Sequence, residues 1–484
     1  MLRRASNRLF ALVACSVSVS ACGKPLTIPE APAASVPTTA GIDVVGPVGA
    51  HAEVPGPPPP PGIARVLEAI DPGRIRQDVD RLAGFGTRHT LSDTASPTRG
   101  IGAARRWIAE RLTDAGGPAR RWQVAMDPHR AAADGRRVTR DVDVVNVVAT
   151  LPGSMREAAG RHYYAVAHYD SRRSDPLDAE GDAPGANDDA SGVAVLLELA
   201  RILADRQLDA TVVLLAAAGE EQGLLGSRAH AKARAAAAVD VRAVLSFDIV
   251  GDPRMPSGPP RIDGIRLFSE GLPAGPVDNA ALRLQGAESD SRSRQLARHV
   301  DMLARWHDAA VKPTLVFRPD RFLRGGDHTP FNELGIAAVR FTEFGENYDR
   351  QHQDPRREGE REFGDTAEFV DPQYVAGVTG LAAIALIHLA NAPSPPGDPR
   401  IVALELQHDT VLRWTTAPEP DVAGYEVVWR ETTAARWEHV QDVGAATTIT
   451  LPWAKDEHFF GVRSYDADGY RSEVAFCGVE RAPS

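Results

Sequence analysis

The chain has 484 residues, too many for one ordinary hydrophobic core, so its length predicts two or three domains. Its composition, 43% hydrophobic and 25% charged, excludes a disordered or fibrous protein. The formal net charge of −11 at pH 7 argues against nucleic acid as a partner, because phosphate binding needs a basic face.

The first residues predict export. Three arginines precede an apolar run at 9–19, which is too short to span a bilayer and is typical of a signal peptide at 1–22. Small residues before Cys22 resemble the lipobox of bacterial lipoproteins. That resemblance implies a lipid on Cys22, membrane attachment and a place in the bacterial cell envelope, in the periplasm or at the outer membrane. A plain signal peptide and a secreted protein are the alternative.

Residues 23–62 are rich in Pro, Ala, Val and Gly and end in five consecutive prolines before Gly62. This composition cannot build a core and predicts a flexible to semi-rigid tether.

Residues 63–392 alternate between strand and helix patterns and predict an α/β catalytic domain. Apolar strands between amphipathic helices predict a mostly parallel central sheet with helices on both faces. Ligand sites of such sheets lie at the carboxyl ends of the strands. The predicted helices are 75–83, 102–115, 192–204 and 375–390, and the predicted strands are 142–151, 163–167, 211–217, 244–247 and 337–341.

A linker at 393–399 (PSPPGDP) leads to an all-β segment at 400–484 with short alternating strands. Trp414, Tyr425 and the turn at 465–469 resemble a fibronectin type III module; another small β-sandwich is the alternative. Nothing in the segment identifies a ligand. The only cysteines of the chain are Cys15, Cys22 and Cys477, so neither a disulfide framework nor a cysteine metal site is expected.

Charged residues follow several predicted strands, where an unpaired buried charge is costly and metal binding is one way to compensate it. His168 ends the strand at 163–167 and can bind a metal through one ring nitrogen, with Asp170 accepting from the other. A structural hydrogen bond is the more common reason for such a His-x-Asp pair. Asp248 also follows a strand, and His328 lies in the glycine-containing loop GGDHTPF.

Two further segments open helices. In GANDDASG, an ordinary helix cap explains one Asp or Asn, but Asp188 and Asp189 together exceed what a cap needs, and a carboxylate here can bridge two cations. In AGEEQG, the helix dipole favours glutamates in a first turn. Glu220 and Glu221 point in different directions, however, so one can bind a metal while the other acts as a base.

Together these segments resemble the co-catalytic two-zinc aminopeptidase family, which includes bacterial leucyl-type aminopeptidases and belongs to the zinc exopeptidase superfamily. The resemblance covers about 75–390, and GANDDASG and GEEQGLLGS are its most specific parts. It implies two zinc ions per chain bridged by one aspartate, with a glutamate as general base. The implied roles are Asp188 as the bridge, His168 and Asp248 on one zinc, Glu221 and His328 on the other, Glu220 as the base and Asp170 as the hydrogen-bond partner of His168.

The resemblance also implies an exported aminopeptidase that removes N-terminal residues from peptides with a metal-activated water. His352 matches a late histidine of the family pattern but is expected at the pocket rim or simply in a loop, not as a ligand. A carboxypeptidase or dipeptidase of the same family is an alternative. A single-zinc glutaminyl cyclase is less favoured because all five ligands and Glu220 are present. A non-catalytic envelope-binding protein would be indicated by the loss of one of them.

Overall fold

The structure, a computed structural model, describes residues 60, 62–115, 117, 121–274, 279–403 and 407–480. The predicted signal peptide, Cys22 and all of the tether except Pro60 and Gly62 therefore lie outside the described residues.

The described chain forms nine helices and eighteen strands, with short helical turns at Ala186–Ala190 and Ala367–Phe369. The helices are α1 Ile63–Glu68, α2 Pro72–Ala83, α3 Gly100–Ala115, α4 Ser191–Leu203, α5 Leu225–Ala236, α6 Asn279–Leu284, α7 Arg292–Trp306, α8 Thr329–Asn332 and α9 Pro372–Asn391. The strands are β1 Gln123–Ala131, β2 Val142–Leu151, β3 Arg161–His168, β4 Thr211–Ala217, β5 Asp240–Phe247, β6 Gly264–Ser269, β7 Lys312–Val316, β8 Ala337–Thr342, β9 Arg356–Glu358, β10 Arg361–Phe363, β11 Gly397–Val402, β12 Thr410–Thr415, β13 Val422–Glu431, β14 His439–Gly444, β15 Thr448–Leu451, β16 His458–Asp466, β17 Ala475–Phe476 and β18 Gly478–Glu480.

Eight strands form one central sheet in the order β1-β2-β4-β3-β5-β8-β6-β7. Its centre is parallel, since β3 pairs in parallel with β4 and β5, and β5 with β8. The edges add antiparallel pairs of β1 with β2, β2 with β4 and β6 with β8. The predicted α/β class with a mostly parallel sheet is confirmed. The antiparallel pairs at the edges of the sheet are a feature that the sequence did not predict.

Both faces of the sheet are buried, which explains why its strands read as continuous apolar runs. In β4, Val212, Leu214 and Ala216 join the larger core, which includes α2, α3, α4, α7 and α9. The alternate side chains of β4 join a smaller core on the opposite face with Ala231 of α5 and Phe331 of α8. The two cores hold the strand ends in fixed positions.

Local sequence signals set several helix starts. The Asp71 side chain accepts from the Gly73 N–H at 2.8 Å, and Pro72 occupies the first turn of α2, where its missing N–H costs nothing. Asp371 and Pro372 repeat the arrangement at α9. The four predicted helices correspond to α2, α3, α4 and α9.

The C-terminal segment forms two four-stranded sheets, β15-β12-β11-β18 and β14-β13-β16-β17. They enclose a shared core that includes Trp414, Tyr425, Val427 and Phe460, so the segment is a β-sandwich. Its first strand begins at Gly397, inside the predicted linker, where Gly397 pairs with Thr415. The resemblance to a fibronectin type III module remains a prediction.

The sandwich packs on α7 of the α/β domain through buried charges. Arg430 of β13 donates to both carboxylate oxygens of Asp290 at 2.9 and 2.8 Å, and Arg298 of α7 donates to the same carboxylate at 2.8 Å. Trp437 donates from its ring N–H to Gln295 of α7 at 3.1 Å. Because a buried guanidinium needs its carboxylate partner, these contacts fix the sandwich to the domain.

Candidate metal centre

Charged residues meet at one edge of the central sheet because four neighbouring strands end there. His168 is the last residue of β3, and Asp248 directly follows β5. Glu221 lies in the turn after β4, and His352 lies in the loop after β8. Since β4, β3, β5 and β8 are consecutive and parallel, their carboxyl ends bring these side chains together.

Asp188 reaches the same edge from the turn Ala186–Ala190, which leads into α4. Asp365 holds this turn, since its carboxylate accepts from the N–H groups of Asn187 and Asp188 at 2.8 and 2.7 Å. Asp189 points inward: it accepts from the His168 N–H at 3.1 Å and from the Gly192 N–H at 2.9 Å. Consecutive aspartates thus serve different purposes, one facing the site and one fixing the loop.

The buried side chain of Arg88 supports this turn. Its guanidinium is 1% exposed and donates to backbone carbonyl oxygens of Tyr169, Pro184 and Gly185 at 2.7, 2.5 and 2.8 Å. A single side chain therefore ties the end of β3 to the Asp188 turn.

The two oxygens of Asp188 face two different histidines. Oδ1 lies 3.1 Å from His168 Nε2, which also lies 3.8 Å from Asp248 Oδ1. Oδ2 lies 3.0 Å from His352 Nε2, which also lies 2.9 Å from Glu221 Oε1. We call the cluster of His168, Asp188 and Asp248 the A site and the cluster of Asp188, Glu221 and His352 the B site. In each cluster the candidate ligand atoms lie within 4.8 Å of one another.

The donor set fits divalent metal ions. His168 Nε2 and Glu221 Oε1 are both buried, and although each lies close to an oppositely charged atom of its cluster, neither contact has the geometry of a hydrogen bond. Burial lowers the pKa of His352, yet the carboxylates of Glu221 and Asp188 raise it to about 10. Burial likewise opposes protonation of His168, but Asp170, Asp188 and Asp248 raise its pKa well above the usual value. The carboxylates thus favour a positive charge at both clusters. A set of imidazole and carboxylate ligands is one that zinc prefers.

Comparison with known proteins identifies the family. Residues 146–370 match peptidase family M28. A probable zinc metalloprotease of Leptosphaeria maculans is 43% identical over 423 residues, which are 87% of this chain and 97% of that protein. A probable zinc metalloprotease of Pyricularia oryzae is 44% identical over 426 residues, or 86% of this chain and 84% of that one. The chain belongs to peptidase family M28. The resemblance drawn from GANDDASG and GEEQGLLGS is thereby confirmed, and so is the prediction of an enzyme.

A solved structure with a similar fold is the aminopeptidase LapA of Legionella pneumophila. It is 18% identical, and the match covers 68% of the M28 peptidase chain and 74% of that chain with a TM-score of 0.49.

The structure separates the two loop histidines of the M28 peptidase. His328, expected as a ligand beside Glu221, belongs to neither cluster: its Nε2 donates to the carbonyl oxygen of Pro319 at 2.9 Å and lies 3.7 Å from Asp320. His352, expected at the rim, occupies the position beside Asp188 and Glu221 instead. Its backbone φ is 53°, a left-handed conformation that is uncommon for residues other than glycine.

Chain direction is the signal that distinguishes these histidines. His328 precedes β8, whereas His352 follows it. Because the other strand-borne candidates follow β3, β4 and β5, the carboxyl end of β8 predicts a ligand after the strand.

Asp170 lies beside His168, as expected, but with a different pattern of contacts. His168 Nδ1 is 3.2 Å from the backbone carbonyl oxygen of Asp170 and 3.6 Å from its carboxylate. The carboxylate accepts from the N–H groups of Glu220 and Glu221 at 3.1 Å each. Asp170 therefore links the end of β3 to the turn that carries both glutamates.

Glu220 has a carboxyl group with a strongly shifted pKa. Burial raises the pKa of its carboxyl well above the usual value; His168 opposes the rise, whereas Asp248 and Glu221 add to it. A general base works best when its pKa lies near the working pH, and burial is a common way to bring a glutamate there.

Proposed function

We propose that this M28 peptidase is a two-zinc exopeptidase of the aminopeptidase type that removes N-terminal residues from peptides. The observation that carries the proposal is the pair of clusters sharing Asp188, one carboxylate oxygen in each. A carboxylate between two histidine sites is the arrangement expected of a bridging ligand. In this proposal His168 and Asp248 hold one zinc and Glu221 and His352 the other, with His352 in the place expected for His328.

Zinc at these sites supplies Lewis acidity toward the scissile carbonyl and the attacking water. The protein supplies the proton transfers: Glu220 takes a proton from the water and returns it to the leaving amine. Asp170 fixes the turn of Glu220 and Glu221 through their N–H groups, which keeps the base and its neighbouring ligand in one geometry.

The preference for a free α-amine is proposed from the resemblance of the segments GANDDASG and GEEQGLLGS to the two-zinc aminopeptidase family.

Two measurements test this proposal. Purified protein should carry two zinc ions per chain, and one zinc per chain at full occupancy would refute the two-metal mechanism. In a panel of free, N-acylated and C-amidated dipeptides, we expect cleavage only where the α-amine is free, with C-amidation tolerated. Cleavage of N-acylated dipeptides that requires a free C-terminus would instead indicate a carboxypeptidase.

We further propose that the protein is exported and lipid-anchored through Cys22 in the cell envelope. The motivation is the arginine-led apolar run and the small residues before Cys22. In a bacterial host, Cys22→Ala should move the protein from the membrane fraction to the soluble fraction. Membrane retention of the variant equal to wild type would exclude this anchor.

A further inference from the structure

A buried arginine pairs with the A site. Arg340 of β8 is 0% exposed, and its Nη2 lies 2.9 Å from Asp248 Oδ2. Its Nη1 lies 3.1 Å from Asp320 Oδ2 and donates to the carbonyl oxygen of Gly325 at 2.8 Å. Held by two carboxylates and a carbonyl group, the guanidinium has a fixed position beside a proposed zinc ligand.

The two oxygens of the Asp248 carboxylate face different partners. Oδ2 faces Arg340, and Oδ1 faces His168 Nε2 at 3.8 Å. Asp248 therefore offers one oxygen to a metal ion, and the positive charge beside it offsets part of its attraction for a second cation.

The B site has no such partner for its carboxylate among the described residues. The ion pair of Glu221 is with His352, the other candidate ligand of the same site. Arg137 also approaches Glu221, but it donates to the backbone carbonyl oxygen at 2.6 Å and not to the carboxylate. Because Asp188 is shared, one difference between the two sites is that an arginine compensates the charge of Asp248, whereas no arginine pairs with the carboxylate of Glu221.

We propose that Arg340 is a positioning residue that weakens zinc binding at the A site, so that the B site fills first and the A site second. The inference rests on the proposed two-zinc function. Since both ions are needed for that function, the A site then makes activity depend on the free zinc concentration. Water-excluded surroundings strengthen the effect, because charges interact more strongly there than in solvent.

Zinc bound per chain, measured by elemental analysis after dialysis at buffered free zinc, tests the order. Wild type should fill in two steps separated by about tenfold or more in free zinc. Arg340→Met combined with Asp320→Asn removes one positive and one negative charge from the buried network. In this double variant we expect the weaker step to move to at least about tenfold lower free zinc while the tighter step stays in place.

The control is Asp320→Asn alone, which keeps Arg340 and should retain the two separated steps. A weaker step that moves to higher free zinc in the double variant would mean that Arg340 only shapes the site, and an unchanged step would mean that it has no role. Either result overturns the inference. A different result would refute the proposed function: wild-type protein that never binds a second zinc ion.

Wild-type protein also tests the order directly, whether or not the double variant folds. In crystals prepared with one equivalent of zinc, anomalous diffraction should locate the ion between Glu221 and His352. An ion between His168 and Asp248 would overturn the assignment.

Discussion

Glu220 and Glu221 are neighbours in the chain, yet their side chains have different surroundings. The Glu221 carboxylate faces His352 at 2.9 Å. Glu220 has a strongly raised pKa, caused first by burial. These differences agree with the two tasks proposed for them, cation binding by Glu221 and proton transfer by Glu220.

Glu220→Gln should separate these tasks. We expect kcat to fall by about 10²–10⁴-fold because the amide cannot accept the proton, while zinc content stays at the wild-type level. Steady-state kinetics with elemental analysis of the same samples measures both. Glu110→Gln, at an exposed position of α3, is the matched control and should leave both unchanged. Wild-type kcat in the Glu220 variant would refute its role as a base.

The two loop histidines allow a second residue-scale test. His352→Asn removes a proposed B-site ligand, so we expect loss of about one zinc per chain and of nearly all activity. His328→Asn should keep both zinc ions, because His328 Nε2 is directed at Pro319 and not at either cluster. Zinc content of the purified variants decides the matter. Loss of zinc from the His328 variant and not from the His352 variant would reverse the assignment made from the geometry.

At the scale of elements, the turn Ala186–Ala190 and helix α4 position the shared carboxylate. The helix begins close against β5: a Cβ added at Gly192 would lie 2.4 Å from the Phe247 carbonyl oxygen and 2.6 Å from the Asp189 carboxylate. Neither neighbour can move without displacing β5 or the loop. The glycine therefore sets the distance between the Asp188 turn and Asp248.

Gly192→Ala should disturb this approach. We expect a loss of about 1–3 kcal/mol in the free energy of unfolding, as is typical of overpacking, together with weaker zinc retention. Urea unfolding and zinc retention in a graded chelator series measure the two effects. Gly160→Ala is the control, because nothing lies within 4 Å of a Cβ added there. Equal stability and zinc retention in the two variants would show that the close approach is unimportant.

Local patterns explain which elements and site residues could be predicted. Strands buried on both faces give long apolar runs, so β2, β4 and β8 and the candidate ligands at the ends of β3, β4 and β5 are predictable. Strand β1 is not predictable in this way, because all of its residues are exposed or half-buried and they form no apolar run. Arg340 lies within the apolar run of β8, where sequence alone gives no sign of its ion pair with Asp248. The pattern favours His328 over His352 because a sequence gives no distances between loops, whereas the structure places His352 beside Glu221.

At the scale of the whole molecule, the sandwich and the α/β domain share a buried polar interface on α7. The Asp290 carboxylate, 0% exposed, is paired with Arg430 of the sandwich and Arg298 of α7. His299 lies on the same helix, is 3% exposed, and has no hydrogen-bond partner on either ring nitrogen. Burial, with a contribution from Arg463 of the sandwich, lowers the pKa of His299 to about 3.

Stability of this interface should therefore depend on pH. His299 is neutral in the folded chain, whereas its pKa in the unfolded chain is about 6.5. Its contribution is complete above the unfolded pKa and is lost as the pH falls toward 3, by about 2–3 kcal/mol at pH 4.5. His299→Leu removes the titrating group at similar volume and, since no hydrogen bond is lost, should stay within about 1 kcal/mol of wild type at pH 7.

Urea unfolding of wild type and His299→Leu at pH 7 and pH 4.5 isolates this effect, because all other titrating groups, the metal ligands included, are common to both proteins. We expect the variant to be the more stable protein at pH 4.5 by about the amount that protonation of His299 costs wild type. An equal loss of stability in both proteins between the two pH values would mean that His299 is not neutral in the fold. The buried His388, whose pKa burial also lowers and whose ring packs against Tyr470 of the sandwich, would then be the group to replace next.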